Sequence, residues 1–109
     1  MNWYKRANKP YYHTVENHII GYQFPVVDKI LQEGLNSSGG QFLTDDINFA
    51  IAMKQQMDEE GGEEFSGSVL EIFLTPEQES KLEVVPQKGE PDGLFLPESI
   101  SSSQIKRIY

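Results

Sequence analysis

The sequence predicts an α+β domain in which two main helices and one short helix pack on a small, mainly antiparallel sheet. Three observations support this class. The 109 residues are about the size of one domain, so residues 1–109 are expected to share one core. Two segments place apolar residues at the i, i+4 spacing of amphipathic helices. Several other segments are short, apolar and β-prone, and they are separated by residues typical of turns.

The first strand and the first helix are predicted in residues 1–35. An N-terminal arm, residues 1–10, leads to Tyr11–Thr14, a short aromatic segment of the β-prone type. Pro25 suits the first turn of a helix, and Gly34 suits the left-handed position just past its end. Between them, apolar residues form one stripe that we expect to be buried: Val26, Val27, Ile30 and Leu31.

A second strand and a second helix follow. Gln41–Thr44 is a short apolar segment, and Asp45 or Asp46 is expected to cap a helix that runs to about Met57. We expect the apolar face of this helix to pack in the core, because such stripes are usually core rather than ligand surface. The face consists of Phe49, Ala50, Met53 and Met57, broadened by Ile47 and Ile51.

The second half of the chain contains the clearest strand. Gly67–Leu74 has only Glu71 as a polar residue from Val69 onward, which predicts a central strand buried on both faces. The run Thr75-Pro76-Glu77-Gln78 combines an N-cap, a proline at N1 and a glutamine at N3, so a short helix to about Leu82 is expected. The remaining segments are predicted as the strands Glu83–Val85, Leu94–Leu96 and Gln104–Tyr109 and the loop Gln87–Gly93.

The net charge of −8 belongs entirely to the second half. Residues 1–56 carry five basic and five acidic residues, whereas residues 57–109 carry four and twelve. A field of this sign repels phosphate backbones, so it disfavours nonspecific nucleic-acid binding and favours a protein partner with a basic surface. The densest acidic run, residues 58–64, is interpreted as solvated surface, because it lacks the spacing of a calcium loop.

Several classes of site and compartment are disfavoured. The chain has no cysteine, which excludes disulfides, thiolate metal sites and thiol nucleophiles. It has neither a membrane-length apolar run nor an apolar N-terminus, so a cytoplasmic protein is the default expectation. His13 and His18 are five residues apart and do not share a helical face, so no metal site is predicted. Nucleophile-elbow and phosphate-loop motifs are also absent.

His13 is the histidine with a candidate binding role. It lies between Tyr12 and Thr14 on a predicted strand, where neighbours can hold the ring and leave one nitrogen for a ligand. A half-buried histidine whose nitrogens are satisfied by backbone groups is the other interpretation. The residues alone leave both open.

The order of several short motifs resembles ADP-ribosyltransferase-like domains. Tyr12-His13-Thr14 is similar to the family's Tyr-His-Thr strand, and Ile30–Leu35 is similar to its helix ending in Ile-x-x-Gly-Leu. Phe42-Leu43-Thr44 matches a strand ending in Phe/Tyr-Leu-Thr/Ser. Leu94–Ile100 followed by Gln104–Ile108 resembles the two closing strands. The likeness covers most of the chain, with gaps.

The resemblance implies a split antiparallel β core that clamps NAD as a substrate. It also implies transfer of ADP-ribose to a protein or nucleic acid, as in toxins and effectors. His13 would bond the ribose on the nicotinamide side, and Gly34 with Leu35 would form a turn over the dinucleotide. The full set of NAD-binding residues that it implies is His13, Thr14, Gly34, Leu35, Phe42 and Thr44.

The family's catalytic glutamate precedes the last apolar triplet, where this chain has Gly93. Cleavage of the nicotinamide bond passes through an oxocarbenium-like state that needs a nearby carboxylate. Asp92 is our first choice for this role, with Glu98 and Glu90 as alternatives. A glycine at this position is equally expected in a non-catalytic descendant of the family. The alternative functions are therefore an acidic protein-binding module, or an inhibitor or immunity-type protein that docks on a basic partner.

Overall fold

Two antiparallel three-stranded sheets form the centre of the computed structural model, which describes residues 9–17, 26–36, 40–61 and 66–109. In chain order, strands β1 to β6 are Pro10–Glu16, Gln41–Leu43, Gly67–Phe73, Glu83–Val85, Gly93–Leu96 and Ile105–Arg107. Helices α1 to α3 are Val26–Glu33, Ile47–Gly61 and Pro76–Ser80. One sheet has the strand order β1-β3-β6 and the other β2-β5-β4. The expected α+β class, with two main helices and one short one, is confirmed for the described residues.

Strand β3 is the central strand of the first sheet, as predicted. It pairs with β1 from Pro10 opposite Phe73 to Glu16 opposite Gly67, and with β6 on its other edge. Within β3, Val69, Leu70 and Ile72 are fully buried, because both faces of the strand are covered. Phe73, at the end of the strand, is 36% exposed, although the strand was expected to be buried on both faces.

Helix α1 buries the predicted stripe through Val27 and Ile30. Gly34 follows it with φ of +88°, and its N–H donates to the carbonyl of Ile30, 2.7 Å away. The left-handed C′ position is thus confirmed. A side chain at Gly34 would collide with the carbonyl oxygen of Ile100, so the close approach also requires glycine.

Helix α2 begins where predicted but buries less of its apolar face. Asp46 caps it, since its Oδ1 accepts hydrogen bonds from the backbone N–H groups of Asn48 and Phe49. The helix continues to Gly61, past the expected end. Of its predicted core face only Ala50 is buried, and Met53 is 38% exposed. The prediction that this whole face packs in the core is therefore wrong, because part of the face borders an open cavity.

Two capping boxes lie at the end of the first sheet where β3 ends and β6 begins. The predicted box joins Thr75 and Gln78 at the start of α3. A second, unpredicted box joins Ser101 and Gln104 around a 3₁₀ turn. Gln104 Nε2 links the two, because it donates to Gln78 Oε1 at 2.6 Å and to the carbonyl of Phe73 at 2.9 Å.

Part of what the sequence predicts lies outside the described residues. This holds for the arm up to residue 8, for Pro25, for His18 and for the acids at 63 and 64. Among the residues that are described, no helix has the length and apolar character needed to cross a bilayer.

Candidate functional site

A cavity of about 300 Å³ lies between the two sheets, the first half of α2 and the loop of residues 86–92. This volume is at the lower end of the range of small-molecule sites. Its walls combine apolar and aromatic side chains with a few polar ones, as ligand sites do. The cavity is lined by Tyr12, His13, Thr14, Phe42, Leu43, Thr44, Phe49, Met53, Gln87, Glu90, Pro91, Asp92 and Gly93.

The contact between β1 and β2 builds one wall of the cavity. Tyr12 and Thr44 exchange two backbone hydrogen bonds, of 2.7 and 2.9 Å, so the two sheets meet at this point. This bridge brings His13 next to the carbonyl of Phe42. Thr44 then turns the chain into α2, because its Oγ1 accepts from the N–H of Asp46. The strand-turn-helix sequence 41–47 thereby positions the wall.

The His13 ring is oriented by one hydrogen bond. Its Nδ1 lies 2.8 Å from the carbonyl oxygen of Phe42, which can only accept, so Nδ1 carries the proton. Burial lowers the pKa of His13, and the bond to Phe42 offsets only part of that effect. The ring is therefore neutral at pH 7, and its Nε2 is a hydrogen-bond acceptor. His13 is therefore both anchored by a backbone carbonyl and part of the cavity wall, although the sequence analysis gave these as alternatives.

Thr14 fixes the helix that forms the next wall. Its Oγ1 donates to the carbonyl of Ala50 at 2.8 Å, which holds α2 against β1. Phe49 and Met53 lie on that part of the helix and line the cavity. The sequence analysis assigned both to the core. Their position just after Phe42 and Thr44, two predicted site residues, was the signal that could have identified them.

The loop of residues 86–92 supplies the charged wall. Glu90 and Asp92 both line the cavity, so the structure brings these two acidic residues and His13 to one site. Gly93 is buried, and a Cβ built on it would lie 3.1 Å from Nε2 of Gln87. The amide of Gln87 thus occupies the space in front of residue 93. Sequence reasoning missed Gln87, because only the fold shows that it covers this glycine.

Three predicted site residues lie outside the cavity lining. Glu98 accepts a hydrogen bond from Lys81 Nζ at 2.9 Å on the surface. Gly34 and Leu35 end α1, where Leu35 pairs with the backbone of Ile100. The other six predicted residues do line the cavity: His13, Thr14, Phe42, Thr44, Glu90 and Asp92.

The cavity combines a neutral acceptor nitrogen, two carboxylates and aromatic walls. Phe42 and Phe49 offer ring surfaces, and Glu90 and Asp92 make the loop side negative. Such a combination suits a planar cationic ring that is attached to a hydroxyl-bearing group. Comparisons of the chain with protein-family models, curated proteins and solved structures found no match. The functional proposal therefore depends on this geometry and on the resemblance of the motifs.

Proposed function

We propose that the cavity binds the nicotinamide-ribose end of NAD and that the protein is an ADP-ribosyltransferase-like enzyme. The observation that carries the proposal is the common cavity of His13, Glu90 and Asp92. The resemblance assigns ribose binding to His13 and charge stabilisation to an acid close to residue 93. The volume of about 300 Å³ accommodates one end of a dinucleotide, with the rest extending along the surface.

The residues of the cavity match the polar groups of that half of NAD. His13 Nε2 accepts a hydrogen bond from a ribose hydroxyl, because Nδ1 holds the ring proton. The rings of Phe42 and Phe49 contact the cationic nicotinamide ring, which is attracted to aromatic faces. We assign the glycosidic carbon to the loop side of the cavity, which Asp92 lines.

The proposed reaction breaks the bond between the ribose carbon and the nicotinamide nitrogen. The electron pair leaves with nicotinamide, which becomes neutral, and positive charge develops on the ribose. The carboxylate of Asp92 stabilises that charge. Water or an acceptor nucleophile then bonds to the ribose carbon and loses a proton to solvent. The products are nicotinamide and either free or transferred ADP-ribose.

The direct test is nicotinamide release from NAD by the purified chain and matched acid variants. Asp92→Asn is expected to lower the rate by about 100-fold, the usual loss when an electrostatic stabiliser is removed. Glu98→Gln is the control, because Glu98 pairs with Lys81 away from the cavity, and it should leave the rate unchanged. The proposal fails if millimolar NAD neither binds nor releases nicotinamide, or if Glu98→Gln is as damaging as Asp92→Asn.

A second candidate function is favoured by the packing of Gln87 over Gly93. The amide lies 3.1 Å from the position of a Cβ at residue 93, so it crowds any side chain there, and the cavity would hold NAD without a carboxylate at that point. The protein would then be a non-catalytic NAD-binding module. Binding of NAD without nicotinamide release, and with affinity lost in His13→Ala, would identify this function.

A further inference from the structure

The outer face of the second sheet carries an aromatic pair beside a carboxylate, with one ring exposed (Phe42) and the other partly buried (Phe95). Phe42 on β2 and Glu83 on β4 are both cross-strand partners of Phe95 on β5, so the three side chains share one face. The ring centroids of Phe42 and Phe95 are 5.0 Å apart, with an angle of 54° between the ring planes. We call Phe42, Phe95 and Glu83 the aromatic face.

This face is apolar where solvent-facing positions are usually polar. The opposite face of the same sheet packs Leu43 and Leu96 into the core, so the alternation predicts polar residues outside. Instead Phe42 is outside and 55% exposed. Phe95 is seated on Gly40, where an added Cβ would clash with its ring, so the pair is supported from below. An exposed ring that is held by a partly buried one is typical of a contact site.

The charge around the aromatic face selects a cationic occupant. Glu83 is exposed, and no cation pairs with it among the described residues. The adjoining loop adds Glu90 and Asp92 against a single base, Lys88. The whole chain has a net charge of −8, so phosphate backbones and acidic peptides are repelled whereas basic segments are attracted.

A basic segment offers arginine or lysine side chains, and arginine fits the aromatic face better than lysine. A planar guanidinium stacks on aromatic rings while its N–H groups bond a carboxylate in bidentate geometry. Phe95 and Glu83 stand on neighbouring strands, about 5 Å apart across the sheet, which is within the span of one arginine side chain. An ammonium group is more strongly hydrated and has no plane to stack.

We propose that the aromatic face docks a basic peptide segment through an arginine that stacks on Phe42 and Phe95 and pairs with Glu83. This inference goes beyond NAD binding and is tested without NAD, although Phe42 belongs to both sites. Glu83 and Phe95 are not among the residues that line the cavity. Docking beside the cavity mouth, which Phe42 shares, would hold a basic protein next to the candidate site.

The test is fluorescence anisotropy of a labelled octapeptide of alternating glycine and arginine, titrated with the chain in the absence of NAD. The lysine counterpart of the peptide is the ligand control. The arginine peptide is expected to bind more tightly, and Glu83→Lys should weaken its binding by about tenfold. Glu59→Lys makes the same charge change on the exposed end of α2 and should have little effect. Phe42→Leu should remove the preference for arginine.

Three results would overturn the proposal. Equal binding of the arginine and lysine peptides would show that stacking on the rings does not contribute to binding. Equal losses in Glu83→Lys and Glu59→Lys would show attraction to net charge alone. Self-association that Phe42→Asp abolishes would show that a second copy of the chain covers the face. Thermal unfolding of each variant checks that it is folded, and nicotinamide release, measured separately, tests the NAD proposal.

Discussion

At the scale of single residues, His13 connects the sequence pattern with the candidate chemistry. The strand Tyr12-His13-Thr14 predicted a ring held by its neighbours, and the ring is held by the carbonyl of Phe42. His13 lines one cavity together with Thr14, Phe42, Thr44 and Asp92, which the sequence also selected. Gln87 could not be selected in this way, because its contact with Gly93 exists only after the loop closes over β5.

The first residue-scale prediction concerns pH. Burial lowers the pKa of His13 below its usual 6.5. NAD affinity should therefore fall as the pH drops through this lowered pKa, because the protonated ring loses its acceptor nitrogen. Folding stability should decline from about pH 6.5 downward, since the unfolded chain takes up the proton first. Titrations between pH 5 and 8 measure the affinity, and His13→Gln should flatten its pH dependence. An unchanged decline in His13→Gln would assign the effect to a carboxylate instead.

The second residue-scale prediction compares two glycines with positive φ. Gly34 and Gly89 have φ of +88° and +77°, but only Gly34 has backbone atoms where a Cβ would lie. Gly89→Ala should cost about 1 kcal/mol, the price of the left-handed conformation alone. Gly34→Ala should cost about 3 kcal/mol or more, because the carbonyl of Ile100 must also move. Urea unfolding measures both, and equal losses would contradict this explanation.

At the scale of elements, local patterns predicted strands and helices well but not what each apolar face meets. The capping residues Asp46 and Thr75 and the C′ glycine Gly34 act through neighbours a few positions away, so the sequence reveals them. Helical periodicity likewise showed which side of α2 faces the protein. It could not show that Phe49 and Met53 border a cavity, because this depends on the distant residues 86–92.

The prediction at this scale concerns Asp58, which ties the end of α2 to the start of β3. Its carboxylate accepts from Lys54 Nζ and from the N–H of Gly67. The bond from Lys54, followed by that from Gly67, lowers the pKa of Asp58. Asp58→Ala should cost about 1 kcal/mol at pH 7, a modest value because the pair is partly exposed to solvent.

The pH dependence of that loss provides the control. A carboxylate with a lowered pKa stabilises the fold above its unfolded value of 3.8, and this contribution is lost as the pH falls through the folded pKa. Urea unfolding of the chain and of Asp58→Ala should therefore converge in acid. Glu60→Ala, at the exposed end of α2, should change the stability little at pH 7. A difference that persists in acid would assign the loss to packing.

At the scale of the whole molecule, long-range contacts hold the elements together at a few defined places. The two sheets meet where Tyr12 pairs with Thr44. The pair of Leu35 and Ile100 joins the end of α1 to the segment after β5, and the linked capping boxes join α3 to the 3₁₀ turn. The sequence predicted one small, mainly antiparallel sheet, whereas the described residues form two. It did not predict which strands pair, because pairing connects segments far apart in the chain. The acidic character of the second half is a property of the sequence, whereas the position of Glu90 and Asp92 at the cavity depends on the fold.

The whole-molecule prediction concerns Gln104, which links the capping boxes. Gln104→Ala removes its bonds to Gln78 and to the carbonyl of Phe73, so it should destabilise the fold by about 1–2 kcal/mol. Gln55→Ala, at an exposed position of α2, is the matched control and should change stability by less than about 0.5 kcal/mol. Thermal unfolding compares them, and equal midpoints would show that the link between the capping boxes does not stabilise the fold.

An NMR titration of the isotope-labelled chain with NAD tests directly whether the cavity is an NAD site. If the cavity binds the nicotinamide-ribose end, signals of the His13 ring and of the amides of Asp92 and Gly93 will shift together and saturate. The same signals in His13→Ala will need far more NAD. If those signals stay in place at millimolar NAD while others shift, or if none shift, the cavity is not an NAD site.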